Sequence, residues 1–280
     1  MNMNINIQNL KDLLPEEFKE AEITIRDVVK YGEAYKGLEI RLPGDPVGAL
    51  IKIDTEELSE IAESIKENYF SLDRNEVKIL TAGNYEMIRG MLTVRLIASD
   101  LQYLKGKTWR SFLDLALQPF IMLNAAIPGG QGIVAVTPQL IEQWGITEDA
   151  VFEDAIASLL EYTPPTIRTM KEVMISMGAP KQILEMTAEL PLVVSNGPQF
   201  YGATSIMYPQ VLAECHERCG GDFWILPSSV HECLCTPTNE LELWEAREMV
   251  HNINRQDVAP NDFLSDTIYW SDGKEVRMAD

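Results

Sequence analysis

A chain of 280 residues, 46% apolar and 24% charged, has the makeup of a packed globular protein and room for one large domain or two small ones. Its 43 aspartates and glutamates outnumber 23 lysines and arginines, for a formal charge of -20. So acidic a surface repels phosphate backbones and anionic headgroups, which argues against nucleic-acid or membrane binding and leaves solubility or attraction of a basic protein partner.

The opening, Met1-Asn2-Met3-Asn4-Ile5-Asn6, has neither the basic leader nor the apolar core of a signal peptide. Residues 7–19 carry apolar side chains at helical spacing, broken by Pro15, and predict a helix or helix pair. Three β-like runs follow at 23–31, 37–42 and 47–53, separated by Tyr31-Gly32 and Pro43-Gly44-Asp45-Pro46. A helix is predicted from Thr55 to about residue 69, with Glu56, Glu57 and Glu60 at its positive end, and a short one at 73–80.

Runs 91–99 and 113–123 read as strands joined through Tyr103-Leu104-Lys105-Gly106-Lys107. The apolar stretch 113–127 is too short for a membrane span, and Asp114, Gln118, Pro119 and Asn124 interrupt it. A Gly-rich loop leads into a strand at 133–137, and helices are predicted at 138–144, 148–161 and 167–177. Next come a strand at 192–195, a turn at Asn196-Gly197-Pro198, and a helix at 202–219 stopped by Gly220-Gly221. Strands 223–226 and 230–235 would bend about Pro227-Ser228-Ser229, followed by a helix at 239–254 and a hairpin about Asp272-Gly273. The expected fold is α+β: a small N-terminal αβββα unit packed on a larger unit of mixed sheet and helices. The regions would be 1–163 and 164–280, with a seam near Pro164-Pro165.

Gly129-Gly130-Gln131-Gly132 suggests a phosphate loop, but such a loop needs a following helix and Lys-Ser/Thr. Ile133-Val134-Ala135-Val136 follows instead, so a hairpin is expected. All four cysteines lie between residues 215 and 235. Cys215 and Cys219 share a helix face, and Cys233 and Cys235 share a strand face. They could converge on zinc, or serve as small core residues. Four thiols in a chain of this size fit a reduced, cytoplasmic setting better than a disulfide framework. His216 lies between Glu214 and Glu217 on a polar helix face, and His251 falls near a helix end.

The best candidate site is Ile225-Leu226-Pro227-Ser228-Ser229-Val230-His231-Glu232. Ser228 or Ser229 could be a nucleophile with His231 as base, assisted by Glu232 and Tyr201. No Gly-x-Ser-x-Gly elbow surrounds either serine, and triads gather their members from separated parts of a chain. A Pro-Ser-Ser bend whose hydroxyls satisfy backbone groups is the other reading.

Tyr201-Gly202-Ala203-Thr204, Tyr208-Pro209, the run from Asp222 through Trp224 and Pro227 to Glu232, and Leu264-Ser265-Asp266 form a pattern. With Ser111-Phe112-Leu113-Asp114 and Gln143-Trp144-Gly145-Ile146-Thr147 upstream, it resembles domain-of-unknown-function family 5688, proteins of gut Firmicutes. The resemblance covers most of the chain and implies no substrate, cofactor or catalytic residue. It implies that Cys233 and Cys235 stand where relatives place aliphatic residues, which favours the core reading. The expectation is a non-enzymatic cytoplasmic interaction or regulatory protein with a basic partner and no cofactor. The alternatives are a hydrolase using residues 228–232 and a small-ligand sensor with an apolar pocket between its halves.

Overall fold

Asn6 accepts hydrogen bonds from the amides of Gln8 and Asn9, at 3.0 and 3.1 Å, and so starts α1 (Ile7–Asp12). A computed structural model describes residues 5–30, 33–43, 49–53, 55–70, 84–127 and 130–279 of the chain. Pro15 separates α1 from a 3-10 turn, Glu16–Phe18, as the break in helical spacing predicts. Strands β1 (Glu22–Lys30), β2 (Glu33–Arg41) and β3 (Ala49–Ile53) form an antiparallel meander, followed by α2 (Leu58–Phe70). Leu10, Phe18, Leu38, Ile40 and Ile65 are fully buried in its core. The expected turns at Tyr31-Gly32 and Gly44-Asp45-Pro46, and the expected helix 73–80, lie outside the described residues.

After α3 (Tyr85–Arg89), a second sheet forms from β4 (Leu92–Ala98), β5 (Arg110–Phe112), β6 (Leu115–Ile127) and β7 (Gly130–Ala135), with α4 (Leu101–Leu104) between β4 and β5. Its order is β4-β6-β5, with β7 also on β6. Ile127 pairs with Gly130, so the Gly-rich stretch feeds a strand in a hairpin; Pro128 and Gly129 lie outside the described residues. Helices α5 (Pro138–Trp144) and α6 (Glu148–Tyr162) follow, capped by Thr137 and Thr147.

The third sheet has the order β13-β12-β10-β11-β9-β8. Its strands are β8 (Pro165–Thr169), β9 (Leu192–Asn196), β10 (Phe223–Ser229), β11 (Glu232–Pro237), β12 (Tyr269–Ser271) and β13 (Val276–Met278). Between them lie α7 (Met170–Ser176), α8 (Lys181–Met186), a 3-10 turn at Gly202–Met207, α9 (Pro209–Cys219) and α10 (Leu243–Gln256). The protein is thus α+β, but every pairing among the described residues is antiparallel rather than mixed. Tight connections such as β6–β7 and β10–β11 can only reverse the chain, and the two helices after β8 return it to the same end of the sheet.

Three predicted elements are corrected. The helix at 167–177 begins only at Met170, because β-branched Thr166, Ile167 and Thr169 pair with β9 and a Thr169/Glu172 capping box starts α7. The helix at 202–219 is split at Tyr208, which is extended before Pro209. The bend at Pro227-Ser228-Ser229 is a bulge within β10, and the chain reverses at Val230-His231. One core joins the second and third sheets through Leu96, Ile121, Phe152, Val194, Phe223 and Tyr269. On the far face of the third sheet, Ala246 and Val250 of α10 cover Leu226 and Ile268. Among the described residues no helix is long and apolar enough to cross a membrane.

Candidate functional site

His231 occupies the reversal between β10 and β11, and three segments converge on it. Its Nδ1 accepts the amide hydrogen of Tyr201 at 3.2 Å. The neutral ring therefore carries its hydrogen on Nε2, which faces Asp262 Oδ1 at 3.3 Å. The backbone is clasped as well: the Val230 amide donates to the Asp262 carbonyl at 2.8 Å, and Ser195 Oγ donates to the His231 carbonyl at 2.8 Å. Asn196 exchanges two hydrogen bonds with the Phe200 backbone, which holds the loop that presents Tyr201 in the left-handed region at φ 53. The Tyr201 and His231 rings stack with centroids 5.8 Å apart, and Phe200 lies edge-on to Tyr201 at 4.4 Å.

Beneath Tyr201 lies Arg95, the largest fully buried side chain described. Its guanidinium donates to the Tyr201 hydroxyl, to the Tyr103 hydroxyl at 2.8 Å, and to Gln118 Oε1 through Nε at 3.0 Å and a terminal nitrogen at 2.6 Å. It stacks 4.6 Å from the Tyr201 ring centre and 5.5 Å from that of Phe120. Burial pushes the Tyr201 phenol up, against the opposing pull of Arg95.

Of the residues singled out in the sequence, the structure thus brings together Tyr201, Ser229 and His231. Ser229 Oγ accepts the His231 amide at 3.1 Å and does not bond the ring. Ser228 is the bulged residue of β10, and Glu232 opposes Ser229 at the start of β11. Among the described residues no serine hydroxyl bonds the imidazole. Asp262 and Arg95 are the partners that sequence reading missed. The first stands 31 residues from His231 and the second 106 from Tyr201, so no local spacing signals either one.

Cys215, Cys233 and Cys235 are buried and Cys219 is half-buried. A hydrogen bond to Cys215 and burial raise the Cys235 thiol, burial raises that of Cys233, and burial pushes Cys219 up to about 12. Among the described residues no group of three or more histidine, cysteine or acidic side chains is placed to hold a metal ion. His216 is partly exposed, its Nδ1 4.0 Å from Asp222, and His251 stands 3.7 Å from Asp266.

The raised thiols, with the raised phenols of Tyr85, Tyr201, Tyr208 and Tyr269, carry a pH consequence. Each group is held neutral by the fold, so its contribution is whole below its ordinary value and is lost as pH rises toward the folded value. The urea midpoint is expected to stay level up to about pH 8.5 and to fall steadily toward about pH 10.5. A flat profile over that interval would show that these groups are not held neutral by the fold.

A second clasp joins the β5–β6 turn to the C-terminal part of the chain. Asp114 accepts the hydroxyls of Ser265, Thr267 and Tyr269 at 2.7, 2.9 and 2.7 Å, beside Leu113 at φ 56. Elsewhere, an open groove of ≈ 470 Å³ runs along α10 past Arg247, Glu248, His251 and Asp266.

Both clasps are built from the segments that carry the sequence pattern: Tyr201 and His231 in one, Asp114 and Ser265 in the other. No curated protein and no solved structure matches the chain. Residues 4–272 match a family of unknown function, DUF5688, over nearly the whole length, and the chain belongs to that family.

Proposed function

We propose that this chain is a non-catalytic cytoplasmic protein of a gut bacterium that binds a basic protein partner. The observation that carries this reading is the formal charge of -20, from carboxylates spread along the chain and not confined to one tail. Such a surface raises the encounter rate with a cationic partner, and the attraction is screened by salt. The site geometry supports the same reading. Both ring nitrogens of His231 are engaged, by the Tyr201 amide and by Asp262, so the imidazole acts as a clasp between loops.

The test is capture on the immobilised chain at about 50 mM salt, with bound proteins identified after elution at about 500 mM. The retained partner is expected to carry a clear excess of lysine and arginine, with affinity falling at least about tenfold between the two conditions. Recovery of only acidic or salt-insensitive binders would end the proposal.

A second reading, hydrolysis at Ser228 or Ser229, draws on one observation: a carboxylate, Asp262, orients the imidazole. It requires His231 to release the Tyr201 amide and turn toward a serine. Ester turnover abolished by both His231→Gln and one of Ser228→Ala or Ser229→Ala would establish it.

A further inference from the structure

His231 holds the Tyr201 loop through a lone pair that only a neutral imidazole offers. Its Nδ1 accepts the Tyr201 amide hydrogen at 3.2 Å, and a second proton on the ring would sit on that same nitrogen. Two N–H donors would then face each other with no acceptor between them. The opposite holds at the other nitrogen. Nε2 stands 3.3 Å from Asp262 Oδ1, and on an imidazolium that contact becomes a charge-assisted hydrogen bond. One proton thus undoes one side of the clasp and tightens the other.

The surroundings let the ring answer that proton. The His231 side chain is 32% exposed, so water reaches it. Ser195 ties down the His231 carbonyl and the Val230 amide is bonded to the Asp262 carbonyl, which leaves rotation of the imidazole as the free movement. The loop has supports of its own: Asn196 fixes Phe200, and Arg95 fixes the Tyr201 hydroxyl. Among the described residues, Asp262 faces the ring from the segment after α10, and Glu232 follows it on β11. Tyr201, with Arg95 behind it, lies against the ring, and Phe200, Ser195 and Ser229 bring no charge. Burial raises the Tyr201 phenol and an arginine stays cationic, so neither changes charge at the mildly acidic pH where imidazoles ordinarily titrate. We propose that His231 is a proton-operated latch: neutral, it holds the Tyr201 loop by its amide; protonated, its ring swings to Asp262 and frees that amide. Opening breaks the stack of the two rings, 5.8 Å between centroids, and takes one support from Tyr201, a non-glycine residue kept at φ 53. The latch is independent of what the chain binds.

The test follows two signals by nuclear magnetic resonance on the 15N-labelled chain between about pH 8 and about pH 5.5. The ring nitrogens of His231 report its protonation. The exchange rate of the Tyr201 amide hydrogen, divided into its unprotected rate at each pH, reports the latch. As the ring takes its second proton, protection of the Tyr201 amide is expected to fall at least about tenfold. That of the Val230 amide, bonded at 2.8 Å to the Asp262 carbonyl, should stay within about twofold. The urea midpoint is not the readout, because the gain at Asp262 offsets the loss at Tyr201. His231→Gln keeps an acceptor without a titrating ring, and its Tyr201 protection is expected not to vary with pH. Asp262→Asn removes the charge that draws the protonated ring, and is expected to move the fall to lower pH. Tyr201 protection that stays level while the ring titrates overturns the latch, and so does a ring that takes no second proton in this interval. A fall that persists in His231→Gln assigns the change to another group, and a fall unmoved in Asp262→Asn removes the carboxylate from the device; either overturns the proposal. Should His231→Gln not fold, the parent and Asp262→Asn decide it.

Discussion

Arg95→Met is expected to destabilise the protein by about 3–5 kcal/mol, because it removes the donor shared by the buried Gln118 carbonyl and the half-buried Tyr201 and Tyr103 hydroxyls. The side chain is 2% exposed, and its guanidinium serves the hydroxyls of Tyr201 and Tyr103 and the carbonyl of Gln118. Each buried polar group left without its partner costs about 1–3 kcal/mol, and relaxation makes the sum less than additive. Loss of the stacking on Tyr201 and Phe120 adds about 1 kcal/mol. Methionine keeps the unbranched stem of arginine but ends short of the guanidinium, so the space that group vacates adds to the loss. Tyr201→Phe removes one acceptor and keeps the ring, and should lose about 1 kcal/mol. The double variant is then expected to fall short of the sum of the two by about 1 kcal/mol. Urea denaturation measures all three. An Arg95→Met protein within about 1 kcal/mol of the parent would mean that water serves these groups and that the guanidinium is not what joins the second sheet to the loop at Tyr201.

The network that makes this prediction was not legible in the sequence, although the strands carrying it were. Runs 91–99 and 113–123 gave β4 and β6 from their β-branched and apolar residues. Nothing in them says that Arg95 and Gln118 would pair across the strands. Helix ends were readable where a single residue sets the backbone. Thr137 and Pro138 start α5, Gly145 ends it at φ 68, and Gly220 ends α9 at φ 73. The missed break at Tyr208 had its signal in Pro209, which cannot donate within a helix and constrains the residue before it. At Pro227-Ser228-Ser229 the turn chemistry was real but lost to packing. Val230 is 1% exposed, so the ladder runs on to Ser229 through a bulge and reverses one residue before Glu232. That shift places His231, the proposed base, at a turn, where its ring meets Tyr201 and Asp262.

Gly202→Ala is expected to be the most damaging change of a single methyl group at this site, at about 3 kcal/mol, the upper end of ordinary overpacking. A Cβ placed on Gly202 would lie 2.3 Å from Ser195 Oγ, 2.5 Å from the His231 carbonyl oxygen and 2.7 Å from the Asn196 amide nitrogen. Rotation of Ser195 relieves the first contact only by giving up the hydrogen bond to the His231 carbonyl. The other two contacts are with backbone on β9 and on the β10–β11 turn, so these segments must part for the methyl group to enter. Parting them pulls His231 away from the Tyr201 amide and loosens the clasp on Asp262. The companion variant Ser195→Ala/Gly202→Ala separates the two sources of strain. It should recover less than about 1 kcal/mol, because the backbone contacts persist. Gly197→Ala is the control, since nothing lies within 4 Å of its Cβ position, and it should stay within about 0.5 kcal/mol of the parent. If Gly202→Ala unfolds at the same urea concentration as Gly197→Ala, then β9 and the β10–β11 turn have slack, and the close approach of Gly202 is not what fixes Tyr201 over His231.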